Sequence, residues 1–285
     1  MLKNIKYFFE TLIIVLFFLI GKIIGLKLSK ILFSSIFRTF GPLFKSQKII
    51  DQNIKRFSKN ISLDQSRIIQ KQMWSNYGKT FIEYAFLNFY KNQNMHVVFE
   101  NKEILERIKI DKKPVIFISG HFANFELMSM EINKNGINLA TIYRPLNNIF
   151  LNPLMEYLRK KYVCNNQIKK GRPGVREAIQ FLKKGFSVAL MIDQRVSEGE
   201  LVNFFSEKAF TTTLPAQLAL KLNLKIIPVF IKREINEKFI IKFYDPIDSS
   251  KYINKIILTE ALNEKLEKMI IKNSGQWIWT HNRWK

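Results

Sequence analysis

The alternation of apolar and polar positions divides the chain into a long apolar start, a helical stretch and a series of short strands. Tyr7–Leu26 is an apolar run long enough to cross a bilayer at about 1.5 Å per residue. Between Ser62 and Asn94, apolar residues recur at helical spacing, which predicts scaffold helix. The pattern then changes to β-type runs at Val97–Phe99, Val115–Ser119, Leu139–Tyr143, Val188–Ile192, Ile226–Ile231 and Phe239–Phe243, separated by helical segments such as Val175–Lys184. This order predicts an α/β fold with a largely parallel sheet flanked by helices.

Polar side chains follow three of the predicted strands at the point where each strand ends. His121 follows Val115–Ser119, Arg144 follows Leu139–Tyr143, and Asp193 with Gln194 follows Val188–Ile192. Because functional groups gather at the carboxyl ends of parallel strands, we expect one site assembled from these loops.

His121 and Glu126 are candidates for a general-base pair. On a continuous helix, residues five apart diverge by about 140° beyond one full turn, so the two side chains meet only if His121 precedes the helix. Gly120 permits that arrangement, and we expect the Glu126 carboxylate to turn back and fix the imidazole tautomer. Such a base can take a proton from a hydroxyl that attacks an ester or thioester. The alternative is a histidine that caps a helix beside a surface glutamate.

The remaining candidate residues suit substrate binding or site organisation. Pro145 holds Arg144 extended, and a permanently charged guanidinium suits phosphate or carboxylate. Arg172 belongs to a second basic cluster, for which a solvated turn is an equal alternative. Asp193 follows an apolar run and is expected to be partly buried, organising the site through hydrogen bonds, and with Gln194 it is assigned to substrate binding.

Composition favours anionic partners and a reducing environment. The chain has 285 residues, a formal net charge of +23 and one cysteine. The charge suits nucleic acid, phospholipid headgroups, a phosphorylated glycolipid or an acidic carrier protein, and a solvated basic surface without a partner is the alternative. One cysteine excludes an intrachain disulfide, and three histidines without metal-ligand spacing make a zinc site unexpected.

The first 60 residues contain eleven Lys or Arg and two Asp or Glu, which favours the cytoplasmic side and anionic lipid. No small-x-small cleavage site follows the apolar core, so we expect an uncleaved anchor. Whether this helix spans the bilayer or lies in its interface stays open.

Five ordered motifs resemble the lauroyl/myristoyl acyltransferases of lipid A biosynthesis, the His-x4-Glu acyltransferases. They are GHFANFE at 120–126, Tyr143-Arg144-Pro145, Met191-Ile192-Asp193-Gln194, Val202-Asn203-Phe204-Phe205 and Gln276–Lys285. The resemblance spans nearly the whole chain. Ala123 and Phe125 stand where relatives often have Gly and Trp.

The resemblance implies a fold like that of the glycerolipid acyltransferases, with an N-terminal membrane segment over 1–45 and an acyltransferase domain over 46–285. It implies His121 and Glu126 as the catalytic pair, and an acyl-carrier protein that donates a fatty acyl chain to a hydroxyl of a lipid A precursor, an anionic glycolipid. The expected location is the cytoplasmic side of the bacterial inner membrane, in contact with membrane lipid and without a metal, cofactor or nucleic acid. Two alternatives stay open: an acyltransferase for another membrane lipid, and a non-catalytic membrane-tethered protein that binds anionic lipid or nucleic acid.

Overall fold

A mixed eight-stranded sheet forms the centre of the computed structural model, which describes residues 2–285. The chain forms ten strands: β1 (Val97–Glu100), β2 (Ile116–Ser119), β3 (Leu139–Tyr143), β4 (Asn166–Lys169), β5 (Ser187–Met191), β6 (Glu200–Phe204), β7 (Glu207–Thr211), β8 (Lys225–Arg233), β9 (Phe239–Phe243) and β10 (Ile247–Asp248). Eight of them form the central sheet, and β6 and β7 pair with each other in a separate two-stranded antiparallel sheet. The sheet order is β1-β9-β8-β2-β5-β3-β4, with β10 also paired to β8. All neighbours are parallel except the pairs that β8 forms with β9 and β10. The largely parallel α/β fold predicted from the sequence is therefore confirmed.

Helices precede the sheet and connect its strands. They are α1 (Leu2–Phe44), α2 (Gln47–Phe57), α3 (Leu63–Glu83), α4 (Leu87–Asn92), α5 (Glu103–Asp111), α6 (Phe125–Lys134), α7 (Leu151–Leu158), α8 (Arg172–Lys183), α9 (Leu214–Leu222) and α10 (Lys255–Lys272). A π-helical turn, Arg159–Val163, continues α7. The scaffold helix expected between Ser62 and Asn94 is mainly α3, and it starts at a capping box in which Ser62 and Gln65 satisfy each other's backbone N–H groups.

Helix α1 folds back on itself at Gly25, whose φ of 79° lies in the left-handed region. Ser29 Oγ donates to the carbonyls of Gly25 at 2.6 Å and of Gly21 at 2.8 Å, although Gly21 is eight residues earlier. The rings of Phe17 and Phe33 lie 5.4 Å apart, whereas sixteen residues of straight helix would separate them by about 24 Å. The element therefore consists of two arms, an N-terminal arm (residues 2–24) and a C-terminal arm (residues 26–44).

The C-terminal arm lies directly against α3. A Cβ on Gly78 would come 2.0 Å from the Phe33 carbonyl oxygen, so only glycine permits this approach of the two backbones. Ser34 and Ser75 hydroxyls share a hydrogen bond of 2.7 Å across the same contact. By length and composition alone, α1 is apolar enough to cross a membrane.

The last residues of the chain pack onto the body. Trp279 and Arg283 are fully buried, and Trp277 is 2% exposed. Arg283 donates to the Phe210 carbonyl and the Thr211 hydroxyl, each at 2.7 Å. This segment therefore ties the β6–β7 hairpin to the helices around the sheet.

Candidate active site

His121 lies in a tight loop between β2 and α6. Gly120 precedes it, and a Cβ at Gly120 would come within 2.9 Å of the Phe122 ring and 3.3 Å of the Asp193 carboxylate. Ala123 follows with a φ of 43°. Its carbonyl accepts a bond of 2.9 Å from Thr80 Oγ1 in α3. The loop is thus held from both ends, and His121 precedes the helix as the sequence predicted.

Asp193 binds His121 through both carboxylate oxygens. Oδ1 lies 2.8 Å from His121 Nδ1, and Oδ2 accepts the His121 backbone N–H at 2.8 Å. Oδ2 also accepts the indole N–H of Trp277 at 2.9 Å. The side chain of Asp193 is fully buried, whereas that of His121 is 21% exposed. Asp193 therefore fixes the imidazole from the protein side.

The charges around His121 keep its basicity high. Burial lowers the pKa of His121, but the Asp193 charge and hydrogen bond, with a further contribution from the Glu126 charge, outweigh burial and hold that pKa above its ordinary value. Burial raises the pKa of Asp193, and the charge of His121 and the hydrogen bonds from His121 and Trp277 more than offset it, so the pKa of Asp193 is lowered. The pair therefore favours an imidazolium beside a carboxylate.

Glu126 does not bind the His121 ring, which corrects the pairing expected from their spacing. In the first turn of α6, Glu126 Oε1 accepts the Tyr84 hydroxyl at 2.6 Å and Arg159 Nε at 2.7 Å. Arg159 also donates to the Tyr84 hydroxyl at 3.2 Å. These two donors hold Glu126 while Asp193 occupies Nδ1, and the Glu126 charge contributes to the raised pKa of His121.

A cavity of about 580 Å³ opens beside His121 and Glu126. Its charged lining is strongly basic, since one carboxylate, Glu126, is joined by five cations: Lys45, Arg144, Arg159, Lys170 and Arg195. Apolar side chains from β3, β5 and α6 form other parts of the wall. A ligand with both an anionic group and an apolar chain fits this lining.

The candidate residues separate into two groups by position. Arg144 and Gln194 line the cavity together with His121 and Glu126. Arg172 does not, because it is exposed at the first residue of α8, beyond the turn at Gly171. Asp193 does not either, and its burial corrects the expectation that it contacts substrate, while its expected role in organising the site agrees with its hydrogen bonds.

Three residues of the site were not found from the sequence. Tyr84 and Arg159 lie on elements distant in sequence from GHFANFE, so no local spacing connects them to Glu126. Trp277 lies in the C-terminal motif, and its indole N–H donates to Asp193 across 84 positions of sequence. Within residues 2–285, no three His, Cys, Asp or Glu side chains form a metal-binding group.

The ring nitrogen opposite Nδ1 is the one available to a ligand, because His121 lines the cavity and Asp193 lies behind it. A histidine held at Nδ1 by a buried carboxylate carries its proton there and presents Nε2 as a base. The arrangement can deprotonate a hydroxyl in the cavity and stabilise the imidazolium that forms.

Comparison with known proteins supplies the family. The family model for bacterial lipid A biosynthesis acyltransferases matches residues 2–285. Lipid A biosynthesis acyltransferase 2 of Shigella flexneri is 23% identical over 188 residues, which cover 64% of this chain and 59% of that protein. Lipid A biosynthesis palmitoleoyltransferase of Escherichia coli is 22% identical over 85% of this chain and 80% of that protein. Lipid A biosynthesis lauroyltransferase of the same organism is 23% identical over 84% of this chain and 78% of that protein.

Among solved structures, the chain is similar to the 1-acyl-sn-glycerophosphate acyltransferase of Thermotoga maritima. The TM-score is 0.44 at 16% identity, covering 89% of this chain and 100% of that protein.

Proposed function

Because the chain belongs to the bacterial lipid A biosynthesis acyltransferase family, we propose that it moves a fatty acyl chain from an acyl-carrier-protein thioester to a hydroxyl of a lipid A precursor. The observation that carries the mechanism is the Asp193–His121 pair at the wall of a basic cavity. Arg144 and Lys170 supply charge for an acceptor phosphate or for the acidic carrier.

The reaction uses His121 as the general base. Nε2 takes the proton of the acceptor hydroxyl while its oxygen attacks the thioester carbonyl. The tetrahedral intermediate collapses as the carbon–sulfur bond breaks, and the imidazolium returns the proton to the thiolate. Asp193 keeps the second proton on Nδ1 and stabilises the imidazolium, with support from the Glu126 charge.

The membrane segment and the positive charge support the proposed partners and location. The acceptor is an anionic amphiphile that stays in the bilayer, and acyl carrier proteins are acidic, so a basic surface on the cytoplasmic side of the inner membrane attracts both.

Acyl transfer by membranes that contain the protein or one of its variants tests the proposal. Labelled acyl-carrier protein is incubated with a tetra-acylated lipid A precursor and membranes that contain the wild type, His121→Gln or Arg172→Ala. We expect His121→Gln to lose transfer by at least about a hundredfold. Arg172→Ala is the matched control, because Arg172 lies outside the cavity.

Two results would reject parts of the proposal. Undiminished transfer by His121→Gln would remove the general base. Transfer by the wild type to a lysophospholipid but not to the lipid A precursor would replace the acceptor.

A further inference from the structure

The N-terminal arm of α1 contacts the body at both of its ends. Near its start, the Tyr7 carbonyl accepts the Asn148 amide at 2.9 Å, and Thr11 Oγ1 donates to Asn148 Oδ1 at 3.2 Å. Near its end, a Cβ on Gly21 would come within 2.5 Å of the Ile82 side chain in α3. The arm is therefore docked along its length rather than projecting from the protein.

This docking conflicts with a helix that crosses the bilayer. Tyr7 and Gly21 are fourteen residues apart, or about 21 Å along a helix, against a hydrocarbon core of about 30 Å. If the arm were perpendicular to the bilayer plane, the Asn148 loop at one end of the arm and Ile82 at the other end would lie at different depths in the bilayer. The Asn148 loop borders the basic cavity. Irregular polar backbone facing lipid at such depths is strongly unfavourable.

The opposite side of the arm carries a continuous apolar stripe. Six side chains spaced three or four residues apart are each at least 45% exposed: Ile5, Phe9, Leu12, Leu16, Leu19 and Ile23. The residues that contact the body, Tyr7, Thr11 and Gly21, lie on the other face. A helix that packs on a protein with one face and exposes an apolar stripe on the other is suited to lie parallel to the membrane, within its interface.

Charge and the neighbouring loop extend this surface. Lys3 and Lys6 lie at one end of the arm and Lys22 at the other, so both ends suit the anionic headgroups of a single leaflet. The Phe8 and Phe150 rings are 5.7 Å apart, and Phe150 is 43% exposed in the Asn148 loop.

We propose that the N-terminal arm lies in the interface of one leaflet, with its stripe in the acyl chains and its other face on the catalytic body, so that the cavity beside the Asn148 loop opens at the membrane surface. This topology does not depend on the reaction proposed above. It places the N-terminus and the body on the same side of the bilayer.

Sidedness of labelling tests the topology in the full chain. Lys3→Cys and Lys208→Cys place reporters on the arm and on the exposed β6–β7 hairpin, and the native Cys164 is buried, so the unsubstituted protein measures background. A membrane-impermeant maleimide is applied to right-side-out and inverted vesicles. We expect both positions to react in the same vesicle orientation only. Reaction in opposite orientations would establish a spanning helix and overturn the proposal.

Depth measurements give an independent test. Leu12→Cys and Leu19→Cys carry a fluorophore, and quenching by brominated lipids in phosphatidylglycerol-containing vesicles reports the depth of each. We expect both probes at a similar depth of about 5–10 Å. Depths that differ by about 10 Å, the rise of seven helical residues, would contradict the in-plane arm. No quenching at either position would also contradict it, because the stripe would then lie outside the acyl chains.

Discussion

His121 and Asp193 each stand two residues beyond a paired position at the ends of adjacent parallel strands. Ser119 of β2 is in register with Met191 of β5, and continuing both strands by two residues brings the imidazole to 2.8 Å from the carboxylate. A contact between residues 72 positions apart therefore follows from sheet register. The buried strands fix that register, because a slip would move every side chain to the other face.

The first prediction concerns the proton on Nδ1. Asp193→Asn keeps the shape of the side chain, but Oδ2 accepts two N–H donors, from the His121 backbone and Trp277. If the amide oxygen keeps these donors, its NH₂ group faces Nδ1 and forces the tautomer in which Nε2 is protonated. We expect kcat to fall by about 10²–10⁴-fold, measured as initial rates of acyl transfer. Arg172→Ala is the control, because Arg172 lies outside the cavity. A loss below tenfold in Asp193→Asn would show that Asp193 does not set the tautomer.

A second prediction separates the two buried tryptophans. Trp277→Phe removes the donor to Asp193, whereas Trp279→Phe removes a donor to the Ser274 carbonyl. Each loss should lower the free energy of unfolding, by about 1–3 kcal/mol. Only Trp277→Phe should also lower kcat, by about tenfold, because Asp193 is then held by fewer bonds. Equal kcat values in the two variants would limit Trp277 to packing.

The elements recovered from the sequence are those with a strong apolar signal. Leu139–Tyr143 and Phe239–Phe243 were predicted with their observed bounds. The polar strands β4, β6 and β7 were not predicted, because NQIK, ELVNF and EKAFT lack a continuous apolar run. The fold-back at Gly25 was also missed, since a single glycine within an apolar run does not reveal a turn.

The sequence predicted several residues of the site but not the hydrogen-bond partner of His121. The strand-end positions place His121 and Arg144 at one cavity and Asp193 against the His121 ring. The hydrogen bond expected between Glu126 and His121 is not formed, because sheet register brings Asp193 to Nδ1 and Arg159 binds Glu126. The catalytic role of Glu126 stays a prediction. The Tyr84–Arg159 pair that holds Glu126 comes from two further elements, and only tertiary structure places them there.

A third prediction compares Arg144 and Arg172, the two arginines that are candidates for substrate binding. Arg144 lines the cavity, and Arg172 is exposed outside it. Arg144→Ala should raise the KM for the anionic acceptor by about tenfold, the loss expected for one hydrogen bond between charged groups. Arg172→Ala should change KM by less than about twofold. Steady-state kinetics with varied acceptor measures both, and equal effects would remove Arg144 from the binding site.

A fourth prediction concerns the buried pair of Glu126 and Arg159, whose side chains are 8% and 12% exposed. Glu126→Ala leaves the guanidinium without its carboxylate, and we expect the free energy of unfolding to fall by about 3 kcal/mol. Arg159→Met in the same chain should restore most of that stability, measured by denaturant unfolding. If the double variant is no more stable than Glu126→Ala, the stranded charge is not the cause of the loss.

A fifth prediction uses the raised pKa of His121. The base acts in its neutral form, so kcat/KM should rise with pH through a midpoint above the ordinary histidine value of about 6.5 and then level off. The free energy of unfolding depends on pH in the opposite direction. The stabilisation from the raised His121 pKa is fully present below the pKa of His121 in the unfolded chain, and it is lost as pH rises through the His121 pKa in the folded protein.

In Asp193→Asn, the residual activity should have its midpoint at lower pH, because the main charge that raises the His121 pKa is gone. Gln194→Ala should keep the wild-type midpoint, since Gln194 carries no charge. A midpoint that does not move in Asp193→Asn would show that the titrating group is not His121, even if the rate falls as expected.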